Sequence, residues 1–181
     1  MTIRKAILAV SVATALVALA VQVRAGGDKI AFPEGFEKGT LYATVDRYDI
    51  KQFRELYASP GVVEAVRKGQ GVPSGAVLTL VQYRAKADDK GNPVKGADGR
   101  FIKDGVVGFG VMEKRTDWGT EYPDSLRNGE WEYQAFTPDK KPNPKANLTA
   151  CFQCHKPHEK QDFVVSLASL SGTAPGAPVA K

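Results

Sequence analysis

The chain holds two cysteines, Cys151 and Cys154, and two histidines, His155 and His158. All four fall in one short stretch, Cys151-Phe152-Gln153-Cys154-His155-Lys156-Pro157-His158. Thiols and imidazoles at this spacing suit several chemistries. A disulfide or a redox dithiol uses the two thiols alone and gives His155 no role. A thioredoxin-like motif would also open a helix after a strand, early in its fold. A zinc site of Cys151, Cys154, His155 and His158 lacks the long spacer that finger-type sites place between the cysteine and histidine pairs. One chemistry uses every residue of C-x-x-C-H. Each thiol adds across a porphyrin vinyl group, and the adjacent imidazole ligates iron. Cys151, Cys154 and His155 are therefore the expected cofactor-binding residues, with His155 the iron ligand of one covalently attached haem c per chain. A plain disulfide is the alternative, and no residue is assigned a catalytic role.

The N-terminus bears on the compartment in which such chemistry would occur. Arg4 and Lys5 precede an apolar run from Ala6 to Val21, and Val23-Arg24-Ala25 offers a cleavage site before Gly26. Residues 1–25 thus read as a secretory signal peptide, and the mature protein as periplasmic. The run is alanine-rich and about 16 residues long, short of the ~20 that a membrane span needs, so membrane contact is expected only through the leader. The whole chain has a formal charge of +5 from 25 Lys/Arg and 20 Asp/Glu; the leader contains three basic residues and no acidic one, which leaves +2. No basic stripe indicates nucleic acid, and the scattered lysines read as a solvated surface. The mature length suits a single domain over residues 26–170, followed by a Pro/Ala/Gly-rich disordered tail over 171–181.

The elements that must position the motif are mostly strands. Gly26 to Gly39 is an irregular opening segment carrying Phe32 and Phe36. Leu41 to Arg47 alternates apolar and polar residues and predicts a strand. Ile50, Phe53, Leu56 and Tyr57 recur at helical spacing behind an Asp49 N-cap and predict a helix, stopped by Ser59-Pro60-Gly61. A short helix runs from Pro60 through Val66, closed by Gly69 and Gly71, a glycine pair that ends a helix and so is no nucleotide loop. Ala76 to Tyr83 predicts a buried strand, and Val106 to Lys114 its antiparallel partner across the charged loop Ala85 to Arg100. Asp117 to Asn128 predicts loop and a short helix, and Trp131 to Phe136 a further strand. A Lys/Pro linker, Pro138 to Lys145, leads to the motif, and Phe163 to Leu170 is a last apolar run. The fold class expected is α+β: an antiparallel β-sheet with flanking helices and a C-terminal haem attachment motif.

The motif's position excludes the small cytochromes that place it near the mature N-terminus and supply a methionine far downstream, because no Met follows His155. The strand patterns also exclude a four-helix bundle. The remaining layout resembles the cytochrome P460 family, with cytochrome c′-beta as a structural relative. The resemblance lies in LYATVDRYDIKQFRELYASPGVVEAVRKG, SGAVLTLVQY, VMEKRTDWGTEYP, GEWEYQAF and ANLTACFQCHKPHEKQDFV, and covers nearly all of the mature part.

The resemblance implies a five-coordinate haem c with His155 proximal and its opposite face open, often in a homodimer. Family members that oxidise hydroxylamine also bond a lysine to the porphyrin, and the position here that matches it is Leu80. No lysine occurs between Gly69 and Ala85, so this cross-link cannot form and the oxidase chemistry loses its main support. The function expected is that of a mono-haem cytochrome binding a small gaseous or nitrogen-oxide ligand, of the NO or CO type, at an open distal site, passing single electrons to a redox partner protein, or both. A hydroxylamine or NO oxidoreductase is one alternative. A six-coordinate electron carrier using Met112, the one methionine after the leader, is another. Leu80, Phe109 and Met112 are expected to form an apolar distal wall without a hydrogen-bond donor. His158 is assigned to the surface or a propionate neighbourhood, and Trp131, Tyr133 and Phe136 to the core.

Overall fold

A computed structural model describes residues 29–173. The expected leader and most of the expected tail lie outside the described residues. Five strands form one antiparallel sheet in the order of the chain: β1 (Thr40–Arg47), β2 (Gln52–Ala58), β3 (Val77–Ala85), β4 (Lys103–Lys114) and β5 (Trp131–Phe136). Three short helices accompany it: α1 (Val62–Arg67), α2 (Leu148–His155) and α3 (Leu167–Leu170). The fold is thus α+β, as expected. Among the described residues no helix is long and apolar enough to cross a membrane.

β2 overturns one expectation. The segment predicted as a helix from Ile50 to Tyr57 is an inner strand, paired with β1 on one side and β3 on the other. Phe53, Glu55 and Tyr57 point to one face while Arg54, Leu56 and Ala58 point to the other, a period of two that the apolar spacing hid. Asp49 does not cap a helix; it accepts a 2.8 Å hydrogen bond from Arg47 Nε in the turn between the strands, where Lys51 has φ 51°. The short helix expected between Asp117 and Asn128 is also absent, and the segment is a series of turns. Elsewhere boundaries shift by a few residues: α1 starts at Val62 behind Gly61 in a left-handed conformation (φ 82°), and β4 starts at Lys103.

Strand alternation assigns each face. On one lie successive cross-strand rows: Ala58, Leu78, Met112 and Tyr133; then Ala43, Leu56, Leu80, Gly110 and Ala135; then Val45, Arg54, Gln82 and Gly108. The helices cover the first row, where the main core forms around Trp131, Phe152 and Leu170, none more than 1% exposed. Burying each large apolar side chain there contributes roughly 1.5–3 kcal/mol. The opposite face packs Val81, Phe109, Val111 and Phe136 under Ile30, Phe32 and Phe36 of the opening segment. Phe32 meets Phe109 and Phe136 edge-on, with ring centroids 5.0 and 5.3 Å apart.

That opposite face also carries Glu55, 7% exposed, which accepts hydrogen bonds from Tyr83 Oη (2.9 Å), Tyr57 Oη (3.2 Å) and Lys103 Nζ (2.7 Å). A buried carboxylate needs such partners. A cavity beside it is lined by Phe53, Glu55, Arg100, Phe101 and Lys103. None of its lining residues belongs to α2.

Candidate functional site

The C-x-x-C-H motif is the C-terminal half of α2. Asn147, in extended conformation, precedes the helix. Phe152, 1% exposed, points into the core and meets Tyr133 and Tyr122 at centroid distances of 4.7 and 5.3 Å. The buried Asn128 ties the helix down, with Nδ2 donating to Phe152 O at 2.9 Å and to Tyr133 Oη at 3.1 Å. With Phe152 inward, Cys151 is left half-buried and Cys154 exposed, both as free thiols. Burial, and after it the charge of Cys154, pushes the Cys151 thiol above its ordinary pKa. Both thiols are therefore on one helix end, Cys154 open to solvent and Cys151 against the edge of the core.

His155 is held from two sides. Its ring lies 4.9 Å from the Tyr133 ring, tilted by 48°. Its Nδ1 is 2.7 Å from Phe163 O. A carbonyl oxygen only accepts, so this contact fixes Nδ1 as the protonated nitrogen and leaves the Nε2 lone pair free to ligate. Burial lowers the pKa of the imidazole, against the opposing effect of the Phe163 carbonyl, and so favours the neutral form that binds metals.

The carbonyl is presented by an unusual turn. Asp162 and Phe163 are consecutive non-glycine residues in the left-handed region, at φ 50° and 57°. Such residues cost of order 1–3 kcal/mol each and persist where surrounding contacts over-determine them. Here Asp162 pairs with Lys114 Nζ at 2.7 Å and accepts from Trp131 Nε1 at 3.4 Å, while Phe163 N donates to His158 O at 2.8 Å. Sheet residues from β4 and β5 thus set the orientation of a helix residue.

The sheet face beside α2 offers a floor. Leu56 and Leu80 are only partly buried, and Val45 is 38% exposed. A Cβ on Gly110 would meet nothing but the Leu80 side chain, at 3.7 and 3.8 Å, so the floor is flat there. At Gly108 a Cβ would lie 2.8 Å from Phe136 O, and glycine is required by the backbone itself. A half-exposed apolar strip beside two thiols and an oriented imidazole fits a haem, whose ring is apolar and whose iron takes an imidazole ligand. When bound, a haem would supply a redox-active iron.

Two expectations change, the place of Phe109 and the absence of hydrogen-bond donors. Phe109 is on the opposite face, against Phe32, and cannot form part of a wall with Leu80. Met112 is 8% exposed within the main core, in the row of Leu78 and Tyr133. The same face carries Arg54 and Gln82, so it is not free of hydrogen-bond donors. Arg54 was hidden by the misassigned helix, and the strand alternation Arg54-Leu56-Ala58 is the signal that could have found it. Of the aromatic residues, Trp131 and Phe136 are core and Tyr133 touches His155. His158, at the kink after α2, offers its backbone oxygen to Phe163. Among the described residues no three His, Cys, Asp or Glu side chains converge as a metal cluster.

Comparison with curated proteins gives no match. A family model described as Cytochrome P460 matches residues 33–166, spanning the sheet, α1, the motif on α2 and the Phe163 turn. By that match the chain belongs to the cytochrome P460 family, and is a haem-binding cytochrome.

Proposed function

We propose that this is an exported, periplasmic cytochrome carrying one covalently attached haem c and taking up a small ligand, of the NO or CO type, on the haem's open side. Residues 1–25 act as its signal peptide, 26–170 as the haem domain and 171–181 as a tail. Cys151 and Cys154 would hold the haem by adding S–H across its two vinyl groups, sulfur to one carbon and hydrogen to the other, with no oxidant consumed. His155 would ligate iron through Nε2, with Phe163 O holding its other nitrogen. The observation that carries this reading is the His155–Phe163 contact of 2.7 Å on the helix end that bears both thiols.

Leu80 stands in the apolar floor at the place where the family resemblance puts a cross-linking lysine. Lys114, on the same face of β4, has its amine committed to Asp162. This favours ligand binding and single-electron exchange with a redox partner over hydroxylamine oxidation.

The test is expression with the haem-attachment machinery, followed by denaturing electrophoresis with haem staining and by spectra. Haem retained in the wild type and lost in the Cys151→Ala/Cys154→Ala double variant is expected, with a ferrous spectrum that changes on adding CO or NO. A chain that binds no haem covalently, or a ferrous spectrum indifferent to both gases, would overturn the reading.

A further inference from the structure

Groups distant in the chain converge on the carbonyl that orients His155. The residue before it, Asp162, is gripped through both carboxylate oxygens: Oδ2 accepts from Lys114 Nζ at 2.7 Å and Oδ1 from Trp131 Nε1 at 3.4 Å. Lys114 is fixed in turn by a second hydrogen bond, to Val72 O at 3.1 Å. Phe163 itself is pinned from another side. Its ring lies against Gly129, where an added Cβ would stand 3.0 Å from Cε2.

Stability gives little reason for an amine and a carboxylate here. Their side chains are withdrawn to 17% and 33% exposure, and desolvation offsets much of the attraction in such a pair. The geometric effect is direct. The pair holds Asp162 at φ 50°, and so fixes the path by which the chain enters Phe163 and offers its oxygen to His155 Nδ1 at 2.7 Å. The strength of that N–H···O bond bears on iron, because a ring that donates strongly is the more basic ligand and favours the ferric state.

We propose that Lys114 and Asp162 are positioning residues which, through the Phe163 carbonyl, set the strength of the His155 hydrogen bond and so hold down the reduction potential of the bound haem. The inference rests on the haem reading given above. Charge acting directly on iron makes a different demand. Removing the cation in Lys114→Met would then lower the potential, and removing the anion in Asp162→Asn would raise it. Positioning shifts both variants the same way, since either loss slackens the carbonyl.

The midpoint potential and the ferrous iron–histidine stretching frequency are measured on the holoprotein for wild type, Lys114→Met, Lys114→Arg and Asp162→Asn. Gly39→Ala, strained between β1 and β2, serves as a destabilised control. Lys114→Met and Asp162→Asn are both expected to raise the potential and lower the stretching frequency. A change of about tenfold in the ferric-to-ferrous preference, or about 59 mV for one electron, is the scale expected for loss of such support. Lys114→Arg keeps the ion pair and should stay within about twofold of wild type, and Gly39→Ala should leave both readouts unmoved. Potentials that move in opposite directions, or not at all, overturn the proposal. So does an equal shift in Gly39→Ala, which would trace the change to lost stability. If Lys114→Met fails to fold, Asp162→Asn decides: a raised potential with an unshifted stretching frequency is charge alone and refutes positioning, whereas a shift in both upholds it. A wild type without covalent haem refutes the haem reading, and this proposal with it; a haem-bearing wild type with unshifted variants refutes this proposal alone.

Discussion

At the scale of single residues, the site depends on a carbonyl. The imidazole of His155 is oriented by Phe163 O, and that oxygen is held in place by two left-handed residues which Lys114 and Trp131 keep from relaxing. The stability cost of altering the turn should follow backbone preference as well as charge. Asp162→Asn keeps a residue tolerant of positive φ and loses the ion pair, a change expected to cost about 1 kcal/mol given its partial exposure. Asp162→Val adds β-branched strain at φ 50° and should cost about 2–3 kcal/mol. Urea unfolding of both variants measures the difference. Equal midpoints would show that the turn stores no strain.

At the scale of elements, the strands fit together at close range. Gly39 precedes β1, and a Cβ there would stand 2.2 Å from Ala58 O, the last residue of β2. Gly39→Ala must push the two strands apart and is expected to lower stability by about 1–3 kcal/mol, read as a drop in the thermal midpoint; no drop would mean that the edge strand yields freely. β1 and β5 were legible in the sequence from their alternation, β3 from its run of apolar β-favouring residues, and β4 as the antiparallel partner of β3. β2 was not, because it is inner and covered on both faces: Phe53 and Tyr57 serve one side and Leu56 the other, which together imitate helical spacing. The C-x-x-C-H motif could be picked out at once because it is confined to five adjacent residues. The Phe163 acceptor depends on a turn eight residues further on, and the placement of Arg54 depends on register, so neither could be read from spacing.

At the scale of the whole molecule, buried phenols set an alkaline limit. Burial pushes the Tyr42 hydroxyl up to about 12, partly offset by its 2.9 Å hydrogen bond with Ser166, and burial also raises Tyr133. The folded protein therefore keeps protons that the unfolded chain gives up near pH 10. Stability is unaffected below about pH 10 and falls between about 10 and 12, by up to ~1.4 kcal/mol per pH unit for each such group. Urea midpoints at pH 9 and pH 11.5 should differ accordingly, and Tyr42→Phe should reduce the difference. An unchanged gap in that variant would exclude Tyr42 as a source.

The strand order also sets a sequence of events. Because every strand pairs with its neighbour in the chain, the sheet assembles through local loop closures, with no strand waiting for a distant partner. The thiols come after all five strands. They share α2 with Phe152, whose burial together with Leu170 completes the main core, so the groups that would bond the cofactor and the last core contacts arrive in the same late segment of the chain.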